Sequence, residues 1–127
     1  MNILVVDDKA IVIDKLSGLL SASGYAVASA INGLDASEKL QQADYDLLIV
    51  DHLMPIMDGI QLVKNLRQNE KYNHTPIIFM TTQGQDSVKQ LCNIDMFTAV
   101  IDKPIDEQKL LDLVTSLESA NSRYQSL

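Results

Sequence analysis

A single cysteine, Cys92, in 127 residues excludes an intramolecular disulfide framework and agrees with a reducing compartment. It stands at helical spacing from Val88 and Leu91, so it is read as a core-packing residue. No apolar run approaches the ~20 residues needed to span a bilayer, and Met1 leads straight into a strand-like run with no basic leader. The expectation is a cytoplasmic protein without membrane insertion. Clusters of Lys or Arg are also missing. Ten scattered basic residues against 17 acidic ones give a formal charge of −7, which repels nucleic-acid phosphates and anionic lipid surfaces. That balance points away from direct nucleic-acid binding and toward protein partners and a divalent cation. Linkers, repeats and low-complexity stretches are absent, and 46% hydrophobic with 21% charged residues suits one ordinary globular domain.

What the chain does contain is four short apolar runs, each ending on a polar residue. Ile3 to Val6 runs into Asp7 and Asp8, Leu47 to Val50 into Asp51, Ile77 to Met80 into Thr81, and Ala99 to Ile101 into Asp102 and Lys103. Runs of this length, rich in Val and Ile, suit strands buried on both faces of a parallel sheet. Tyr25 to Ser29 alternates and is less apolar, which suits an edge strand. Between the runs lie segments of helical period. Val12, Leu16, Leu19 and Leu20 form one, with Gly24 as a stop. Asn32-Gly33 turns into a second through Ala43, and Asp58 caps a third carrying Ile60, Val63 and Leu66. A short helix holds Val88, Leu91 and Cys92, and Asp106 caps a last one lined by Leu110, Leu113, Val114 and Leu117. Five strand–helix units predict an α/β, doubly wound (βα)5 flavodoxin-like sheet of strand order 2-1-3-4-5. Residues 119–127, Ser-rich and without apolar period, read as a short frayed tail.

In such a sheet the strand C-termini share one edge, and strands 1 and 3 meet at the switch point where ligands bind. Asp7, Asp8 and Asp51 would converge there. Three carboxylates so close must either raise a pKa or hold a cation, and an all-oxygen donor set points to Mg2+. Phosphoryl transfer to a carboxylate needs an ionised nucleophile and positive charge around the phosphoryl oxygens. Asp51 supplies the first, the Lys103 ammonium can pair with one oxygen, and the Thr81 hydroxyl can bond another. Taken singly, each Asp has a plainer reading as a turn residue or helix cap, and Asp58 is read that way here. Thr81 could cap the helix after it, and Lys103 could be a solvated loop lysine. Their joint placement outweighs those readings.

Asp7-Asp8, Asp51, Met54-Pro55, Met57-Asp58-Gly59, Thr81 and Lys103-Pro104, in that order, resemble the receiver domain of two-component response regulators, over residues 2 to about 118. The resemblance implies a receiver domain at 1–118 followed by a tail at 119–127, regulatory rather than enzymatic. Asp51 would be the phosphoacceptor, charged by a sensor histidine kinase or phosphotransfer protein. It also implies Mg2+ held by Asp8 and Asp51 with the Leu53 backbone carbonyl, Asp7 acting through water, and a cis Lys103-Pro104 bond. Thr81 and Lys103 would bind the phosphoryl oxygens. The expected product is a stand-alone chain, monomer or weak dimer, whose phosphorylated state is read by a downstream protein.

Several positions depart from the family pattern. Val100 stands where many receivers carry a Tyr or Phe that swings inward on activation. Thr82 replaces a small residue after Thr81 and narrows access to Asp51. Asp95 to Ala99 lacks the Gly-Ala-Asp pattern, leaving Met96 and Phe97 to form either an apolar partner patch or core. His52 follows Asp51, yet strand alternation points it away from that site, and it is read as a loop residue tuning access. His74 is read as a surface residue. Two other classes share some of these features. A phosphorylation-independent interaction module fits Val100 but not the intact Asp7, Asp8, Asp51, Thr81 and Lys103. A Mg2+-dependent aspartyl-phosphate phosphatase would carry Asp-x-Asp after the first strand, where this chain has adjacent aspartates. Flavin binding would need a Ser/Thr/Gly-rich phosphate cradle that the first loop lacks.

Overall fold

The structure is a computed structural model and describes residues 1–125. Five parallel strands, β1 (Asn2–Val6), β2 (Ala26–Ala30), β3 (Leu47–Asp51), β4 (Ile77–Thr81) and β5 (Ala99–Asp102), form one sheet in the order β2-β1-β3-β4-β5. The helices are α1 (Ala10–Ala22), α2 (Gly33–Gln42), α3 (Gly59–Arg67), α4 (Gln85–Leu91) and α5 (Glu107–Gln125), with a 3₁₀ turn at Ile94–Met96. This is the doubly wound (βα)5 flavodoxin-like fold expected, with β2 and β5 at the edges.

Side-chain alternation along the strands builds two cores. Leu4, Val6, Leu48, Val50, Ile77 and Phe79 pack under α2, α3 and α4, whereas Ile3, Val5, Leu47, Ile49, Ile78 and Met80 pack under α1 and α5. Strands β3 and β4 are buried along their whole length, which explains why they read as continuous apolar runs. Side-chain caps start the helices where the sequence suggests: Asn32 Oδ1 accepts from the Asp35 N–H (2.8 Å), Asp58 Oδ1 from Gln61 (2.9 Å), and Asp106 Oδ1 from Lys109 (3.1 Å).

Three expectations need correction, and one open choice is settled. The polar residues Asp51, Thr81 and Asp102 are the last residues of their strands rather than the first of the loops. Leu91 is 57% exposed, so only Val88 and the half-buried Cys92 of that trio face the core. Phe97 settles the open choice in favour of core, being buried and stacked on Phe79 at 4.1 Å between ring centroids. Finally, α5 continues past residue 118 to Gln125, so the segment read as a frayed tail is helical as far as it is described; residues 126 and 127 lie outside the described residues. Helix propagation onto an existing, docked helix costs little, and no apolar stripe is needed to sustain a further turn or two.

Candidate functional site

Register brings the acidic residues together. Val6 lies beside Val50 in the β1–β3 ladder, so Asp7 and Asp8, just beyond β1, meet Asp51 at the end of β3. One oxygen from each of Asp7, Asp8 and Asp51 lies within 4.8 Å of the others. Asp7 and Asp51 are buried, while Asp8 is exposed. Lys103, one residue past β5, reaches back across the sheet edge: its Nζ lies 2.8 Å from Asp7 Oδ2 and 3.0 Å from Asp51 Oδ1. The Lys103–Pro104 peptide bond is cis. Both Asp7 oxygens are held, since the Lys9 backbone N–H donates to Oδ1 at 2.9 Å.

Asp51 Oδ2 differs from its neighbours. Among the described residues it is the fully enclosed side-chain oxygen or nitrogen that has no hydrogen-bond partner. Burial pushes the Asp51 carboxyl above its ordinary pKa; the hydrogen bond from Lys103 opposes this, and the charge of Asp7 adds to it. Burial alone would lower the Lys103 ammonium, but its hydrogen bonds to Asp7 and Asp51 outweigh that and hold it above its ordinary value. A buried orphan oxygen inside three carboxylates is the signature of a site completed by something positive. An all-oxygen donor set of this kind fits a hard divalent cation.

Rigid local geometry holds the cluster in place. Gly59 begins α3 against the end of β3: its N–H donates to the His52 carbonyl at 2.9 Å, and an added Cβ would lie 2.1 Å from the Asp51 carbonyl oxygen. Gly33 meets Met57 in the same way, with a Cβ 2.8 Å from the Met57 carbonyl oxygen. Thus the Met57-Asp58-Gly59 segment is wedged between α2 and β3. Just before it, Ile56 takes a left-handed φ of 70° with its side chain 79% exposed. Lys9, Val12, His52, Leu53, Thr82, Lys103 and Pro104 surround Asp51 in a recess of about 450 Å³, so Thr82 is among its walls.

Two residues carry more than the sequence reading gave them. Lys9, which no motif in the sequence singles out, has its Nζ 3.2 Å from Asp8 Oδ1, and its charge opposes the rise in the Asp51 pKa. His52 is not an accessible loop residue: it is 2% exposed, and its Nδ1 lies 2.9 Å from Thr81 Oγ1. As alternation requires, His52 shares a face with Val50 and not with Asp51. Thr81, however, shares that same face with Phe79. Its hydroxyl meets His52 Nδ1 and the Gln83 N–H (3.0 Å). No spacing in the sequence relates positions 52 and 81; only the β3–β4 register does.

A (βα)5 sheet of this order, with an acidic cluster and a strand-end lysine at the switch point, defines a class of phosphoacceptor signalling domains, and the model of the response regulator receiver domain matches residues 3–115. The chain belongs to that family. A receiver is a regulatory phosphoacceptor domain and not an enzyme in the ordinary sense; receivers bind Mg2+ at an acidic pocket and interact with histidine kinases or phosphotransfer proteins. Among curated relatives, Protein PilH of Pseudomonas aeruginosa is 30% identical over 116 residues, covering 91% of this chain and 96% of that protein. Chemotaxis protein CheY1 of Helicobacter pylori is 42% identical over 86 residues, or 66% of this chain and 69% of that one. The probable transcriptional regulator ycf29 of Porphyra purpurea is 32% identical over 127 residues, but this chain spans only 60% of its length. Among solved structures, chemotaxis response regulator CheY4 of Vibrio cholerae superposes with a TM-score of 0.84 at 33% identity, over 91% of this chain and 97% of that one. Response regulator TrrA of Thermotoga maritima, solved in complex with Mg(2+)-BeF, gives 0.81 at 28% identity over 91% and 97%.

Proposed function

We propose that Asp51 accepts a phosphoryl group from a sensor histidine kinase or phosphotransfer protein in a Mg2+-dependent reaction, and that the phosphorylated chain signals through protein–protein contact. One observation carries the reading: Asp51 is enclosed, with Oδ1 on Lys103 and Oδ2 without a partner. The lone pairs of such an oxygen are not engaged by any protein donor, and a raised pKa makes the ionised form a better nucleophile. Attack forms the Asp51 O–P bond while the donor's P–N bond breaks, and the electron pair leaves on the imidazole nitrogen. Asp8, Asp51 and the Leu53 backbone carbonyl would hold Mg2+, with Asp7 contributing through water because both its oxygens are engaged. Bound there, the ion would neutralise the carboxylates and accept phosphoryl oxygens. Lys103, already beside Asp51, would hold a second phosphoryl oxygen, and the Thr81 hydroxyl a third.

The test is intact-mass spectrometry after incubation with acetyl phosphate and Mg2+. A single phosphoryl adduct on the wild type, lost on chelation of Mg2+ and missing from Asp51→Asn, is the expected result. An equal adduct on the Asp51→Asn variant, or none on the wild type when a reactive receiver labels alongside it, overturns the reading.

A further inference from the structure

The Thr81 hydroxyl is fully buried, and its bonding can be counted. A hydroxyl offers one proton and two lone pairs. The Gln83 N–H uses one lone pair, at 3.0 Å. If His52 Nδ1 also donated, the Thr81 proton would be left in an enclosed space with no acceptor. If instead Nδ1 accepts, the Thr81 hydroxyl is fully satisfied: its O–H donates to Nδ1 at 2.9 Å, and the ring proton of the neutral imidazole sits on Nε2. Nε2 is not sealed in, because His52 also lines the recesses on either side of Leu53. The ring itself is held firmly. Its backbone N–H donates to the Met80 carbonyl (2.9 Å), its carbonyl accepts from Gly59 (2.9 Å), and its face packs on Phe79 at 5.3 Å between centroids.

A phosphoryl oxygen is an acceptor only, so Thr81 cannot give its single proton both to His52 and to a phosphoryl group. We propose that His52 is a positioning residue: its Nδ1 holds the Thr81 hydroxyl in the unphosphorylated protein, and engagement of the phosphoryl group by Thr81 breaks that bond. This rests on the receiver reading above, and it supplies the reporter that Val100 cannot. Phe79 in turn stacks on Phe97 (4.1 Å, 19°), so the released imidazole adjoins an aromatic column that reaches the Ile94–Met96 turn.

Two histidines in the chain make the experiment direct, because His74 is exposed and serves as an internal control. In the full chain labelled with nitrogen-15 histidine, at alkaline pH, the free protein should show His52 protonated on Nε2 and accepting a hydrogen bond on Nδ1. Adding Mg2+ and beryllofluoride should move the Nδ1 resonance to that of an unbonded nitrogen while His74 stays fixed. Two variants extend the test. His52→Phe keeps an aromatic face on Phe79 and removes the acceptor; it should bind beryllofluoride about tenfold more tightly, the equivalent of one lost hydrogen bond. His52→Asn restores an acceptor near the Nδ1 position and should return affinity toward wild type. Beryllofluoride binding with unmoved His52 resonances, or with Phe and Asn variants alike, overturns this inference alone. Failure of the wild type to bind beryllofluoride or to label at Asp51 overturns the receiver reading and this inference with it.

Discussion

Asp51 Oδ2 makes the acidic cluster unstable by design, and the consequence is measurable without any phosphodonor. The folded protein holds the Asp51 proton more tightly than the unfolded chain does, because its pKa is raised by burial. Stability linked to this group is therefore greatest in acid, falls as pH rises from the unfolded carboxylate range through the raised folded value, and is level beyond it. Asp51→Asn should be more stable than the metal-free wild type at neutral pH, with the two converging in acid. Urea denaturation in chelator at both pH values checks this, and a gap that does not change with pH would count against it. Lys103 keeps Asp7 as a partner in that variant, at 2.8 Å. Ile56 gives a second test at the same scale. A β-branched residue at φ 70° is strained, and at 79% exposure it has little packing to lose. Ile56→Asn should stabilise the free protein by about 1 kcal/mol, read from the denaturation midpoint. Nothing in the sequence announces that strain, because it belongs to a backbone angle and not to a residue pattern.

At the scale of elements, the contact between α3 and β3 is where the fold is least forgiving. Gly59→Ala would force backbone atoms apart from a 2.1 Å approach, so a loss of at least ~2 kcal/mol and weakened Mg2+ binding are expected from thermal denaturation with and without the ion. The far end of α3 is tied down differently. Arg67 donates from Nε to the Met96 carbonyl and from one terminal nitrogen to the Tyr72 and Thr75 carbonyls, each at 2.8 Å. Arg67→Met would strip those oxygens of their donor and should cost roughly 2–3 kcal/mol, while leaving acetyl-phosphate labelling of Asp51 intact. The elements themselves were legible because burial on both faces leaves continuous Val/Ile runs, and because Asn32, Asp58 and Asp106 cap where caps are wanted. Boundaries were less so. Asp51, Thr81 and Asp102 are polar yet sit inside strands, since backbone pairing and not hydropathy decides where a strand ends. Leu91 faces solvent against the spacing, because a short helix has too few turns to define a face.

For the molecule as a whole, the alternation of apolar runs with helical periods pointed to a doubly wound sheet, because right-handed crossovers leave few topologies to choose among. The acidic cluster was legible for the same reason: strand ends in such a sheet must share an edge. The His52–Thr81 contact was not, since it depends on the register of β3 against β4 and on a parity that only the cores reveal. Mg2+ should raise the melting temperature of the wild type with the logarithm of its concentration once that exceeds the dissociation constant, and do so much less in Asp8→Asn or Asp51→Asn. Thermal scans across a Mg2+ series decide this, and an equal rise in all three proteins would place the ion elsewhere. The two cores lead to a further expectation. The sheet separates Phe97 and its neighbours under α2, α3 and α4 from Val114 and its neighbours under α1 and α5, with no buried residue among the described residues belonging to both. Packing damage on one side should therefore go unfelt on the other: Phe97→Ala and Val114→Ala, each destabilising alone, should combine in the double variant to within ~0.5 kcal/mol of their sum. Thermodynamic independence of the two layers would let sequence drift beneath α1 and α5 leave the aromatic column beneath α4 untouched.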